Sequence, residues 1–244
     1  MAEPLTVLML TALSLGLVHT LLGPDHYLPF IVLGRAEGWN LRRTMLLTAV
    51  CGVAHVASSI VVGGLGIALG WSLGGLEWFE GIRGEAAGWA LLVFGGAYLT
   101  WGLYRARKGH SHVHAHADGT VHKHGHDHGH IADASAHADE PHEEAAHVKS
   151  HRRTAWALFL VFVLGPCEPL IPLLLFPAAE HSAAGIAAVS AAFLVATVVT
   201  MLAVVAAGWF GLRLFKLGWL ERYVHAFSGA AVLASGVLIT FVGL

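Results

Sequence analysis

Charge is what this sequence lacks most. Asp, Glu, Lys and Arg make up 12% of its 244 residues, against 56% hydrophobic, about half the charge of an ordinary soluble domain. That excludes a soluble globular chain and makes the lipid bilayer the first expected partner. Cysteine is nearly absent as well. Cys51 and Cys167 both lie in apolar stretches, which excludes a disulfide scaffold and leaves packing, metal ligation or redox chemistry. The opening "MAEPLTVLML" has no Lys or Arg, so it lacks the basic start of a secretory signal and reads as the lead-in to a first span. A net charge of −2 says little about partners, and no nucleic acid is expected among them.

Apolar length is what the sequence has. A bilayer core of about 30 Å takes about 20 apolar residues per helix. Six segments qualify, near 5–33, 44–70, 86–104, 155–177, 183–208 and 225–243. Of the 14 Lys and Arg residues, 13 fall in 34–43, 105–154 and 209–224, which share one face if all six segments cross. The positive-inside rule makes that face cytoplasmic and puts both termini outside, in a cell (inner) membrane. Arg83 alone falls on the other face, and no Lys or Arg is expected inside a span.

The two halves resemble each other. "LGP" at 22–24 recurs at 164–166, "VAHV" at 53–56 meets "VATV" at 195–198, and "GAYLT" at 96–100 meets "GVLIT" at 236–240. Each half holds an odd number of spans, so a duplication makes the halves inverted. The expected fold is an all-α polytopic membrane protein: six transmembrane helices in two inverted three-helix repeats, with helices 1 and 4 broken. Its parts are a first repeat at 1–104, a His-rich disordered cytoplasmic loop at 105–154 and a second repeat at 155–244.

Chemistry gathers where the helices should break. Aligning the halves lays "LGPDHYLPF" over "LGPCEPLIP", so Asp25 faces Cys167 and His26 faces Glu168. A mid-bilayer carboxylate costs about 2.5–3.5 kcal/mol on insertion scales, so Asp25 and Glu168 call for a proton, a hydrogen-bond network or a cation. Neighbouring side chains on a regular helix point about 100° apart. Unwinding at Gly23-Pro24, with Pro29 a turn later, lets Asp25 and His26 aim at one site, and Pro166 and Pro169 do the same for Cys167 and Glu168. In the second span Cys51, His55 and Ser59 recur every four residues. His55 is the expected ligand there, with Ser58 or Ser59 orienting it, while Cys51 is read as packing. His19 lies about 10 Å from His26 on an unbroken helix, so it is placed on the approach unless the break draws it in. Imidazole, carboxylate and thiolate together suit a borderline divalent ion such as nickel, cobalt or zinc, carried as substrate with no permanently bound cofactor.

The loop is denser still: 13 of 18 histidines fall in 105–154. His110, His112, His114, His116, His122, His124, His126, His128 and His130 form its core, a composition that reads as metal binding. Trp71, Trp78, Trp89, Trp101, Trp209 and Trp219 lie near span ends as an interfacial belt. His181 and His225 read as interfacial too.

Six spans, a His-rich loop between the third and fourth, and a first-span His/Asp/His cluster resemble the bacterial nickel–cobalt efflux and permease families. "HVASSIVVG" (55–63) resembles their second-span pattern, and "GPCEPLIP" (165–172) stands where they carry an acidic or Pro-Cys-Pro motif. The permease pattern has an acid where Leu22 stands here. The same superfamily includes thiol–disulfide electron carriers and sulfite-exporter-like proteins. The resemblance implies a transporter rather than an enzyme, moving nickel or cobalt, with efflux favoured and a homo-oligomer left open. The rivals are a thiol–disulfide carrier using Cys51 and Cys167, an anion exporter, and a metal-sensing or metallochaperone membrane protein.

Overall fold

The computed structural model describes residues 2–107, 111–115, 121–125, 142–167, 169–180, 182–214 and 223–242. The helices are α1 (Ala2–Leu22), α2 (Leu28–Ala36), α3 (Leu41–Ala68), α4 (Leu73–Arg107), α5 (His142–Leu164), α6 (Leu170–Ala179), α7 (Ala183–Leu214) and α8 (Val224–Val237). A 3-10 turn at Pro24–His26 separates α1 from α2, and a π-helical turn at Leu238–Val242 ends α8. Among the described residues five helices are long and apolar enough to cross a membrane. Large apolar side chains such as Leu10, Leu17, Val61, Val93 and Val199 stand exposed on their outer faces, where lipid replaces water as the solvent. The chain is a multi-pass membrane protein.

The segment near 155–177 is in two pieces, a break expected at its Gly-Pro. The apolar half of α5 stops at Leu164, and the chain restarts as the short apolar α6. The first segment breaks at the matching motif. Gly23 and Gly165 follow the last residues of α1 and α5, and each is followed by proline, which has no N–H to extend the helix. Pro29 does not act as a breaker. It lies in the first turn of α2, where a missing N–H leaves nothing unpaired.

Close packing fixes the bundle around these breaks. Gly88, Gly95 and Gly102 recur every seven residues on α4; Gly95 and Gly102 meet α8 and Gly88 meets the π-helical turn beyond it, while Gly229 and Gly236 of α8 meet α4 in return. A Cβ at Gly95 would strike the backbone of Leu233, and one at Gly229 the backbone of Leu99. Small residues are what allow helix backbones this close in a membrane. Elsewhere α1 packs on α7, and α3 packs on α5, α6 and α7. One buried cluster contains Phe30, Leu33, Leu91, Phe162, Met201 and Val232, and a second contains Val56, Leu170, Leu174, Val189 and Phe193.

Two boundaries differ from the sequence expectation. Helix α4 runs from Leu73 rather than from about residue 86, which puts Arg83 inside a membrane-length helix. No basic residue was expected there. Between α4 and α5, residues 111–115 and 121–125 pair as an antiparallel hairpin, β1 and β2, within a loop expected to be mostly disordered.

Candidate metal centre

Three imidazoles converge between the two breaks. His19 comes from the last turn of α1, His26 from the 3-10 turn and His55 from the middle of α3. One ring nitrogen from each can be chosen so that all lie within 4.8 Å of one another. His26 and His55 are 3% exposed. The break draws His19 in: its ring centroid is 4.8 Å from that of His26, because Gly23 leaves the helical conformation and a 3-10 turn follows it. His19 Nε2 is buried with no hydrogen-bond partner.

The outer nitrogens fix the inner ones. His55 Nδ1 lies 3.1 Å from the carbonyl of Phe162, which can only accept, so Nδ1 carries the proton. His26 Nδ1 lies 3.1 Å from Gly23 O and 3.2 Å from Asp25 Oδ1, and the same logic protonates it. The two Nε2 lone pairs therefore meet, 3.3 Å apart. Two neutral imidazoles in that pose repel unless a proton or a cation lies between them. Nitrogens bound at about 2.0–2.1 Å to one tetrahedral ion stand about 3.3 Å apart. An imidazole ligand whose other nitrogen donates to a carbonyl or carboxylate is the usual arrangement around a bound metal.

Cys167 lies beside this cluster, its Sγ 3.0 Å from His55 Nε2, although the group of mutually close donors is the three histidines alone. Asp25 stands behind His26 on Nδ1 and so orients that ring, rather than sharing its inner face. Ser58 and Ser59 do not orient His55: Ser58 Oγ donates to the His55 carbonyl, and Ser59 Oγ to Glu80. Phe162 O does that work instead. Glu168, His110, His116, His126, His128 and His130 lie outside the described residues. His112, His114, His122 and His124 fall in the hairpin, away from this cluster in the chain.

A cavity of about 540 Å³ reaches the cluster, lined by His19, Asp25, His26 and His55, with Glu85 of α4 in its wall. Glycine leaves little room to spare at the edge of the site, because a Cβ on Gly165 would sit 3.1 Å from His55 Nδ1. Sequence reasoning missed Glu80 and Arg83, which form a buried ion pair on α4. Arg83 Nη2 donates to Ser58 Oγ at 2.7 Å, to Val163 O at 2.9 Å and to Gly165 O at 3.2 Å. The charge carried by an otherwise apolar helix was the available signal.

The geometry bears on two rival readings. Cys51 and Cys167 are both free and belong to different buried clusters, which gives a dithiol relay no pair to work with. The buried Arg83 is matched by Glu80 and leaves no unbalanced positive charge to draw in an anion.

Comparison with known proteins changes the family reading. A family model described as the VIT family matches residues 102–244. No curated protein and no solved structure matches the chain. The match overturns the resemblance to nickel–cobalt efflux and permease families, which rested on short motifs and on a span count that different families share. Cys167 lies inside the matched region, whereas His19, Asp25, His26 and His55 precede it, so their assignment stands on geometry.

Proposed function

The chain belongs to the VIT family, whose members are membrane transporters and not enzymes, and from that premise we propose that it carries a divalent metal ion, iron or manganese, across the membrane through His19, His26 and His55. The observation that carries this reading is the set of three converging imidazoles inside an apolar bundle. Cys167 is the proposed fourth donor, and Asp25 orients His26. Glu168, adjacent to Cys167, is retained as an acidic donor. The ion is cargo, and no resident cofactor is part of the proposal.

The scaffold is proposed to be two inverted three-helix repeats, with α5 and α6 together making a sixth crossing. Both breaks fall at the repeated Leu-Gly-Pro. The packing supports the pairing of α1 with α5, α3 with α7 and α4 with α8: exchanging the halves turns the α1–α7 contact into the α5–α3 contact and maps α4–α8 onto itself. Transporters built this way hold their ion near the midplane at broken helices. The basic loops favour a cytoplasmic His-rich segment, which would gather ions for movement out of the cytoplasm.

Reconstitution tests the assignment. Proteoliposomes loaded with a metal-sensitive dye should take up Fe²⁺ (kept reduced) or Mn²⁺, and His26→Ala should abolish that uptake. Preference for nickel or cobalt over both would overturn the metal assignment. Tight binding without flux would replace transport by sensing or metal delivery.

A further inference from the structure

The break after α5 leaves carbonyls with no helical partner, as every helix C-terminus does, and here they are buried. Side chains from two other helices take them up. His55 of α3 donates to Phe162 O, and Arg83 of α4 donates to Val163 O and Gly165 O. Arg83 also puts a full positive charge at the negative end of the α5 dipole. Its remaining donors reach Ser58, Ser59 and Glu80. Ser59 in turn donates to Glu80 Oε2 at 3.2 Å and accepts from the backbone N–H of Cys167 at 3.1 Å. Gly84, the next residue on α4, lies against Pro166, with space for a Cβ only at 3.0 Å.

An arginine inside a membrane bundle is costly and is usually retained for function. This one touches neither an imidazole nor the thiol. Two of the groups it holds, Val163 O and Gly165 O, belong to the chain leading into Cys167, and a third, Ser59, accepts from the Cys167 N–H. We propose that Arg83, with Glu80 and Ser59, is a positioning and specificity-determining unit: it holds the unwound chain so that the Cys167 sulfur joins the histidine cluster. Thiolate favours soft and borderline ions, whereas a harder ion such as Mn²⁺ gains little from it. The unit therefore sets how far the site prefers thiophilic metals. This rests on the metal site proposed above, and the test separates the two.

The full-length protein in detergent is titrated with Cd²⁺ and with Mn²⁺, reading thiolate-to-cadmium charge-transfer absorption alongside affinity. Wild type should show the sulfur band, and Cys167→Ser should lose it. In Arg83→Gln the band should vanish and Cd²⁺ affinity should fall about 10–100-fold, the range for losing a group that orients a ligand. Mn²⁺ affinity should change by less than about three-fold. Ser59→Ala removes the last link to Cys167 while leaving the ion pair in place. It should shift the Cd²⁺/Mn²⁺ ratio the same way, and it decides the matter if Arg83→Gln does not yield monodisperse protein. Folded variants that keep the band and the wild-type ratio overturn the role of Arg83. Wild type that binds neither ion overturns the site itself, and the inference falls with it.

Discussion

Two groups of histidines divide this molecule, and they differ in everything except residue type. Three are spread over 37 positions of sequence, from His19 to His55, and the fold gathers them to within 4.8 Å. Thirteen are crowded into residues 105–154, where proximity needs no fold at all. The first group is built: each ring has an outer nitrogen tied down or an inner one left bare, and a glycine packs tightly beside it. The second is written into composition. Number alone therefore says little about which group handles the ion during transport, because pre-organisation is what converts donors into a defined site.

The contrast breaks most visibly if a ring of the buried group is removed. His55→Ala deletes a donor and leaves Phe162 O unpaired, so metal affinity should fall by more than the about 10–100-fold typical of orienting groups. Transport should be lost while protein of normal size is still purified. If His55→Ala transports normally and deletion of 110–141 does not, the roles of the two groups are reversed.

A smaller effect tests whether placement matters as well as identity. Gly165→Ala keeps every ligand but sets a methyl group 3.1 Å from His55 Nδ1. Overpacking of this kind costs about 1–3 kcal/mol, and the ring must turn to relieve it. Metal affinity should fall about ten-fold or more, and thermal stability should fall with it. Asp25→Asn should act in the same range, because the amide still meets His26 Nδ1 but no longer holds it with a charge. Isothermal titration of both variants reads this directly.

How much of this was legible in the sequence depends on the assumption each reading needed. The breaks were legible because Gly-Pro within an apolar run has one physical meaning. His26 and His55 were legible because a polar ring in a span demands a reason. The convergence of His19 was not, since the 10 Å separation was computed on a straight helix that the break abolishes. Arg83 and Glu80 were not legible as interior residues, because apolar length alone begins α4 after the charges, although an i,i+3 ion pair lets the helix run through them. The family was misread because the motifs were short. The hairpin was overlooked because its composition holds too little apolar surface to predict a fold, although its histidines alternate every second residue.

That alternation carries the smallest and most discriminating effect. Antiparallel pairing sets His112 opposite His124 and His114 opposite His122. A lone two-stranded hairpin is marginal in water, so a metal held across the register would add the stability that apolar surface does not. If the segment acts only by its number of histidines, His112→Ala/His124→Ala and His128→Ala/His130→Ala should weaken loop binding equally. If register matters, the first pair should lower affinity several-fold more than the second, with transport at saturating metal unchanged in both. Acidification should release this metal, because protons compete with it for the imidazole nitrogens. Equal losses from the two pairs would leave the segment an unstructured reservoir and make the contrast with the buried site absolute. A register-dependent loss would make it a contrast of degree, between a site fixed by the bundle and one fixed by the ion it binds.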